Sequence, residues 1–276
     1  MIYGYPLHNL DHSIQVTVNP AHGGMISQIQ YHNHPVFQLD EKVLETTPMA
    51  AGGMPLLFPF PSKTSEDAYE MNGKIYHMPM HGLIKNSEFV VKESTASSVT
   101  LWIDANQSWL RQYYPFDFYF EVTYEVTNRG LDVTILIENR TDAFMPHYLG
   151  VHPYFFVSDK KNVSLEHAMT KHYDYINHTD EPANPNLDLG KWLDDVFCAP
   201  QENYFKFENP IDHYGITCRY DEAFDTLIVC SWVPNSMCIE PWCGVPDAIN
   251  QNRPYQSIPP RGKKYYHISM EFSDLL

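Results

Sequence analysis

The chain of 276 residues has few basic side chains and no long hydrophobic run. Lysine and arginine together number 18 against 34 aspartates and glutamates, which gives a formal net charge of −16 at pH 7. Nucleic acids and anionic membranes attract basic surfaces, so we expect the protein to bind neither. No run of about 18 apolar residues is present, and the sequence therefore predicts no membrane-spanning helix.

Several motifs of common enzyme and metal-binding classes are also absent. The five cysteines form no CxxC pair, so neither a disulfide framework nor a zinc site is predicted. There is no Gly-x-Ser-x-Gly elbow, no phosphate-binding glycine loop and no HExxH motif. His32 and His34 have the spacing of a metal pair, but no third ligand accompanies them. The first residues lack the features of a secretory signal, which favours a cytoplasmic location.

Strand patterns dominate what the chain does contain. The clearest covers 118–138, where apolar and polar residues alternate on both sides of a turn with Asn128 and Gly130, as in a β-hairpin. Helical periodicity is confined to 108–113 and 247–250. Further strands are predicted at 14–18, 89–91, 99–103, 216–220, 227–230 and 265–272. We therefore predict an all-β fold, a large antiparallel β-sandwich that forms a single domain over 1–276.

Two long stretches show neither strand nor helix patterns. Residues 46–83 are rich in proline, methionine and phenylalanine, and residues 173–190 are rich in asparagine, aspartate and proline. Irregular segments of this length inside a compact domain usually carry function. We therefore predict a site built from such loops.

Three segments, 52–83, 145–156 and 238–250, combine ionisable side chains with aromatic and proline-rich surroundings. Proline fixes the backbone and glycine permits tight turns, so such segments can hold a side chain in one place. Aromatic faces beside polar groups suit sugars, whose hydroxyls take directed hydrogen bonds. The segments therefore indicate a carbohydrate site.

Glu240, His152 and His81 are the candidate catalytic residues of these segments. A partly buried glutamate and an imidazole can exchange protons near neutral pH, so Glu240 is a candidate base and the histidines are candidate acids. The pattern alone also fits structural roles, because a histidine in an aromatic segment is often a hydrogen-bonded core residue. Four other histidines are expected at the surface or in supporting positions: His147, His172, His178 and His213.

The order of these segments resembles the aldose 1-epimerase (galactose mutarotase-like) family, and in particular its shorter bacterial members. The matching segments are GGMPLLFPFPSK at 52–63, NGKIYHMPMHG at 72–82, LGVHPYF at 149–155, LDDVF at 193–197 and IEPWCGVPDAIN at 239–250. The resemblance implies the family's antiparallel β-supersandwich. It also implies an isomerase that interconverts the α and β anomers of an aldohexose by ring opening and reclosure, without a cofactor or a metal.

Roles for individual residues follow from the same resemblance. Glu240 matches the base that removes the anomeric O1 proton, and His152 matches the acid that protonates the ring oxygen. His81 matches the second histidine, which hydrogen-bonds the ring oxygen. Asp194 matches the acid that binds sugar hydroxyls, with Asp195 as the neighbouring alternative.

The chain departs from the family pattern at two basic positions. Lys63 stands where the family usually has a sugar-binding arginine, and lysine is a mobile point charge rather than a planar fork. Lys85 stands near the position where hexose-6-phosphate members carry an arginine. Both are predicted to bind substrate. Segment position also predicts that Trp242, Met54 and Phe60 line the pocket.

Several functions remain open at this stage. The leading one is a mutarotase acting on a monosaccharide, and the net charge of −16 favours a neutral sugar over a phosphorylated one. The alternatives are a hexose-6-phosphate mutarotase and a carbohydrate-binding protein without turnover. A glycosidase or lyase that pairs Glu240 with Asp194 is a further alternative. The oligomeric state stays open, with a homodimer as one option.

Overall fold

The computed structural model describes residues 4–37, 39, 51–106, 109–184 and 186–275, most of them in antiparallel strands. The strands are β1 (Tyr5–His8), β2 (Ile14–Asn19), β3 (Met25–Tyr31), β4 (His34–Phe37), β5 (Leu56–Leu57), β6 (Ala68–Met71), β7 (Lys74–His77), β8 (Val90–Ser94), β9 (Ser98–Asp104), β10 (Phe118–Val126), β11 (Gly130–Asn139), β12 (Met145–His147), β13 (Gly150–Val151), β14 (Tyr154–Phe156), β15 (Ser164–Asp174), β16 (Thr179–Pro182), β17 (Asp194–Asn209), β18 (Tyr214–Tyr220), β19 (Thr226–Cys230), β20 (Ser236–Trp242), β21 (Gln256–Ile258) and β22 (Lys263–Asp274). The helical elements are α1 (Leu110–Tyr113) and short 3₁₀ helices at Ser65–Asp67, Ile84–Asn86 and Lys160–Asn162.

The large sheet has two arms that share the long strand β17. In one arm the pairing order is β8, β9, β10, β11, β22 and β18. In the other it is β1, β2, β3, β4, β14, β20 and β19. Residues 204–209 of β17 pair with β18, whereas residues 194–198 pair with β19. One strand therefore carries the hydrogen-bond ladder from one arm into the other.

Strand alternation places one face of each arm in a common apolar core. In β10 the side chains of Phe118, Phe120, Val122 and Tyr124 are all fully buried, whereas the residues between them are more exposed. Burying such a side chain contributes about 1.5–3 kcal/mol to folding. The hydroxyl of Tyr124 donates a hydrogen bond of 2.8 Å to the carbonyl of Gly24, just before β3. This bond joins the two arms across the core.

The structure confirms the all-β prediction and the predicted hairpin, whose strands β10 and β11 pair without a register shift. Each shorter predicted strand also lies within or beside an observed one. Helix α1 covers 110–113, and the part of the predicted segment at position 108 lies outside the described residues. Residues 247–250 form a hydrogen-bonded turn, in which the Asn250 amide donates to the Asp247 carbonyl at 3.0 Å. No helix in the described ranges is long and apolar enough to cross a membrane.

The two predicted loops contain more structure than the sequence indicates. The described part of 46–83 includes β5, β6 and β7, and 173–190 includes β16, which pairs with the end of β15; positions 46–50 and 185 lie outside the described residues. Strands β15 and β17 were not predicted, although they are 11 and 16 residues long. Their exposed and buried residues do not alternate regularly, because β15 carries a register shift between His167 and Met169.

Candidate active site

Strand register brings Glu240 and His152 together. Glu240 lies in β20, and His152 lies in the link between β13 and β14. Gly150 pairs with Trp242, and Tyr154 pairs with Cys238, so His152 lies opposite Glu240, midway between these two pairs. Side chains directly opposite on one face of a sheet are close neighbours. Accordingly, His152 Nε2 lies 3.3 Å from Glu240 Oε1, and both residues are buried, with 6% and 1% of their surface exposed.

The imidazole of His152 is fixed by neighbours on either side. Its ring stacks on Tyr154 with centroids 4.4 Å apart and planes at 10°. The Tyr154 hydroxyl lies 3.4 Å from His152 Nε2, and the backbone amide of His152 donates to the carbonyl of Pro55 at 3.0 Å. His152 Nδ1 is buried and has no hydrogen-bond partner in the described part of the chain. The ring nitrogen with polar neighbours is therefore Nε2, which faces Glu240 and the Tyr154 hydroxyl.

His81 is held by a tight turn before the 3₁₀ helix Ile84–Asn86. Its backbone has φ of +64°, and its amide donates to the Ser62 carbonyl at 2.8 Å. The Ser62 amide in turn donates to His81 Nδ1 at 3.1 Å. Because Nδ1 accepts this bond, the proton of the neutral ring lies on Nε2. The His81 ring meets the His152 ring edge to face at 5.3 Å.

Gly82 permits this turn to approach the chain at Phe58. Its φ is +78°, and a Cβ there would lie 2.3 Å from the Phe58 carbonyl oxygen. The same carbonyl accepts a 2.7 Å hydrogen bond from the Leu83 amide. Only glycine fits such a close backbone approach at positive φ. Position 82 therefore requires glycine for steric reasons, and this glycine holds the neighbouring His81 in its turn.

Burial governs the protonation of the pair. Burial lowers the pKa of His152 well below its ordinary value, and the neighbouring His81 and Lys85 lower it further. Burial also raises the pKa of Glu240 well above its ordinary value, and Cys230 adds to this effect. The distance of 3.3 Å would suit an ion pair. However, the lowered pKa of His152 and the raised pKa of Glu240 both favour neutral groups. These shifts favour a pair in which Glu240 holds the titratable proton and the His152 imidazole is neutral.

His81 is also neutral at physiological pH. Burial, followed by the charge of Lys85, lowers its pKa to about 3. A neutral His81 with its proton on Nε2 is a hydrogen-bond donor, not a cation. It can donate to an oxygen lone pair of a bound molecule without adding charge to the cavity.

A cavity of about 450 Å³ surrounds these groups. Five residues predicted from the sequence line it: His81, His152, Asp194, Glu240 and Trp242. Its volume lies in the range usual for small-molecule sites, about 300–1,000 Å³. Trp242 packs against Gly150 so closely that a Cβ on Gly150 would lie 2.5 Å from the indole Cδ1. The structure thus brings together the predicted acid, base and aromatic groups around one cavity.

Two adjacent aspartates at the start of β17 point to different places. Asp194 lines the cavity and accepts a 2.9 Å hydrogen bond from the Tyr175 hydroxyl. Asp195 lies 3.0 Å from Nε2 of His172 and lines a neighbouring cavity instead. Successive side chains of a strand face opposite sides, so Asp194 is the one of the two that faces Glu240 and His152.

Lys63, Lys85, Met54 and Phe60 lie outside the cavity lining. Lys63 is exposed, next to Ser62 of the lining. The ammonium of Lys85 is buried without a hydrogen-bond partner in the described part of the chain, and burial lowers its pKa to about 8. Met54 and Phe60 are fully buried in the core, so the expectation that they line the pocket is wrong.

Sequence reasoning missed three aromatic residues of the cavity: Tyr175, Trp192 and Trp232. They are exposed for 38%, 70% and 52% of their surface. Trp192 and Trp232 are isolated in polar or loop segments, so no periodic pattern marks them. Tyr175 lies in the segment 173–190, whose length was the signal for a functional loop.

The other histidines take structural positions. His147 is fully buried, contrary to a surface position, and its Nε2 is hydrogen-bonded to the hydroxyl of Tyr266. Its strand β12 is covered by β21 and the core. His178 Nδ1 lies 2.9 Å from the Tyr173 hydroxyl. The His213 ring packs against His34 with centroids 5.2 Å apart, so His34 has an aromatic partner.

A group of potential metal-binding atoms includes both His152 and Glu240. His152, Cys238 and Glu240 offer one ligand atom each, and these atoms lie within 4.8 Å of one another. Nitrogen, sulfur and carboxylate oxygen are the ligands that zinc prefers. The sequence predicted no metal site because the three residues have no ligand spacing along the chain. Burial raises the pKa of the Cys238 thiol well above its ordinary value, so metal binding would have to displace a proton. It would also occupy the pair that proton transfer needs.

Comparisons with known proteins identify the family of the chain and support its fold. The family model for aldose 1-epimerase matches residues 7–267. The Escherichia coli K12 protein YihR is 26% identical over 236 residues, which are 75% of this chain and 74% of YihR. The Slr1438 protein of Synechocystis has a similar fold, with 22% identity, a TM-score of 0.92 and coverage of 99% of this chain and 96% of that one. A galactose mutarotase-like protein from Lactobacillus casei gives 20% identity, a TM-score of 0.83 and coverage of 98% and 100%. Since the family model spans nearly the whole chain, the protein belongs to the aldose 1-epimerase family.

Proposed function

We propose that the protein is an aldose 1-epimerase that interconverts the α and β anomers of a neutral aldohexose. The observation that supports this most directly is the contact of 3.3 Å between His152 Nε2 and Glu240 Oε1 inside a cavity that also holds His81. Anomerisation needs a proton removed from O1 and a proton supplied to the ring oxygen. A buried acid–base pair that shares one proton can do both.

In this reaction Glu240 and His152 together gain one proton from the sugar and return one proton to it. When a sugar enters, the shared proton moves to His152, and the Glu240 carboxylate removes the proton from O1 as the imidazolium protonates the ring oxygen. The bond between C1 and the ring oxygen breaks, which leaves the open-chain aldehyde. The pair then holds its proton on Glu240, the arrangement that burial favours. Rotation about the C1–C2 bond and the reverse transfers close the ring on the other face.

The remaining groups bind and orient the sugar in this proposal. His81 donates its Nε2 proton to the ring oxygen, Asp194 accepts from ring hydroxyls and Trp242 packs against the C–H face of the ring. Each well-placed proton transfer contributes about 10²–10⁴-fold to the rate. Holding the sugar against both groups contributes further, because the reacting atoms then need no encounter step.

Charge favours a neutral substrate. Glu240 and Asp194 line the cavity, and neither Lys63 nor Lys85 is among its lining residues. A phosphate in the cavity would therefore meet the Asp194 carboxylate and the field of a protein with a net charge of −16. Lys63 is exposed beside Ser62 of the lining, and we propose that it binds a hydroxyl that projects from the cavity. We assign Lys85 an electrostatic role rather than a substrate contact.

NMR exchange spectroscopy tests the proposal by measuring α/β interconversion of glucose, galactose, mannose and their 6-phosphates. We expect acceleration of at least one neutral hexose and at least a 100-fold loss in Glu240→Gln and in His152→Asn, because each variant removes one proton-transfer group. Circular dichroism checks that the variants fold. Glu125→Gln and His213→Asn change exposed residues that are not among those lining the cavity, and they serve as matched controls.

Two results would contradict the proposal. Full activity in both site variants would place the chemistry elsewhere. Thermal stabilisation by a sugar without any acceleration of its anomerisation would instead identify a carbohydrate-binding protein that lacks turnover.

A further inference from the structure

Trp192 has an exposed side chain on a fixed backbone. Its indole is 70% exposed. The hydroxyl of Ser231 donates to the carbonyl of Lys191 at 2.6 Å and accepts from the amide of Leu193 at 2.8 Å. The residues on both sides of Trp192 are thus bonded to one serine. These bonds restrict the backbone on both sides of the ring.

Trp232 is held in the same way from the other side of Ser231. Its side chain is 52% exposed. The ammonium of Lys160 donates to the carbonyl of Ser231 and, at 2.6 Å, to the carbonyl of Val233. The two carbonyls that flank Trp232 are therefore fixed by one lysine. Both tryptophans line the catalytic cavity, so two rigid aromatic faces stand exposed at one site.

Trp192 also lines a second cavity of about 410 Å³. The second cavity is lined largely by groups that hydrogen-bond, among them His172, Glu181, Asn186 and Asp195. Asp195 follows Asp194 in β17, so the two cavities lie on the two sides of one strand end. A ligand that fills the first cavity can therefore pass over Trp192 and reach hydrogen-bonding groups beyond it.

We propose that the second cavity binds the second sugar ring of a reducing disaccharide or short oligosaccharide. The reducing-end ring occupies the catalytic cavity, and the next ring packs on the Trp192 indole while its hydroxyls bond to the polar lining. Exposed aromatic rings beside hydrogen-bonding groups suit the alternating apolar and polar surface of a sugar. This inference rests on the proposed function, because it names the substrate class of the same site.

The test compares kcat/KM for anomer exchange of two substrate pairs, glucose with maltose and galactose with lactose. We expect wild-type protein to favour the disaccharide in at least one pair. Trp192→Ala should lower the ratio of disaccharide to monosaccharide kcat/KM about fivefold to tenfold, since it removes the stacking face. Trp192→Tyr keeps an aromatic face and should restore most of the ratio.

Phe144→Ala is the control, because Phe144 is also an exposed aromatic residue, at 66%, and is not among the residues that line either cavity. It should leave the ratio unchanged. Equal losses for both substrates in Trp192→Ala, or wild-type protein that accepts glucose and galactose but neither disaccharide, would overturn the second ring site.

Failure of the proposed function is distinguishable from failure of this inference. If no sugar is anomerised, the proposed function fails, and maltose binding measured by ligand-observed NMR then decides the inference alone. Binding of maltose that Trp192→Ala weakens and Trp192→Tyr retains would support the second ring site. The absence of maltose binding would overturn it.

Discussion

Glu240 and His152 illustrate how single residues acquire their chemistry from their surroundings. In water a glutamate loses its proton well below the pH at which a histidine does. Inside this cavity burial raises the pKa of Glu240 and lowers the pKa of His152, so the carboxyl group holds the proton that an imidazole would hold in water. The sequence could suggest both residue types, but the exchange distance of 3.3 Å depends on the register of β20 with β13 and β14.

Lys85 offers a prediction at the residue scale. Its charge lowers the pKa of His81 and of His152, because a nearby cation disfavours an imidazolium. Lys85→Met removes this charge, so the imidazole pKa values should rise toward 6.5. The acid limb of the pH profile of kcat/KM for anomer exchange should therefore move to higher pH in the variant.

Lys92→Met is the matched control for this measurement. Lys92 is an exposed lysine whose ammonium lies 2.7 Å from Glu121 in the sheet, and its loss should not move the acid limb. An acid limb at the same pH in wild type and Lys85→Met would show that Lys85 does not tune the histidines.

Among the strands, β17 links the sheet to the site. It joins the two arms of the sheet, and its first residue is Asp194 of the cavity. The sequence predicted β10 and β11 because their alternation is regular, but it did not predict β15 or β17. The pairing between them shifts register between His167 and Met169, and the middle of β17 is more exposed than its two ends, so no single period describes them. Their positions depend on pairing with residues distant in sequence.

Gly150 in β13 provides a prediction at the level of strand packing. A methyl group at Gly150 would lie 2.5 Å from the Trp242 indole, so Gly150→Ala must push the ring toward the cavity or away from the strand. Overpacking of this kind typically costs about 1–3 kcal/mol of stability. We expect a lower melting temperature and at least a threefold higher KM for the sugar.

Gly73→Ala controls for the general effect of losing a glycine. Gly73 lies in the turn between β6 and β7, and a Cβ there would meet no atom within 4 Å. Its φ of +74° predicts some loss of stability, but the KM should not change. A Gly150→Ala variant with an unchanged KM would show that the position of Trp242 does not matter to sugar binding.

At the scale of the whole molecule, the sequence predicted the fold class and the central site residues better than the exposed aromatic residues. Alternating strands, proline-rich connections and the ordered resemblance of short motifs were sufficient for the fold class and for Glu240, His152 and His81. The exposed Trp192 and Trp232 were not predicted, because an isolated tryptophan looks the same in sequence whether it is buried or exposed. The second cavity was not predicted either, because it forms only when strands distant in sequence pair.

Buried His147 makes global stability depend on pH. Burial lowers its pKa in the folded protein to about 3 from 6.5, so between these values the unfolded chain binds a proton that the folded protein does not. The stabilisation is complete above pH 6.5 and is lost as the pH falls toward 3, with a loss of about 2 kcal/mol between pH 6.5 and 5. Chemical denaturation at both pH values measures it.

His147→Gln keeps a polar partner for Tyr266 but cannot titrate. Its free energy of unfolding should therefore fall less between pH 6.5 and 5 than that of wild type, even if the variant is less stable at both. Equal decreases in the two proteins would assign the acid sensitivity to other groups.

The single proton held by Glu240 and His152 has a consequence for the direction of the proposed reaction. A pair that begins and ends each turnover with the same proton stores no preference for the anomer that entered. The ratio of α to β sugar at equilibrium is then a property of the sugar in water. In the proposed reaction the protein changes only how quickly a depleted anomer is replenished. An enzyme that consumes one anomer only would therefore gain from its presence.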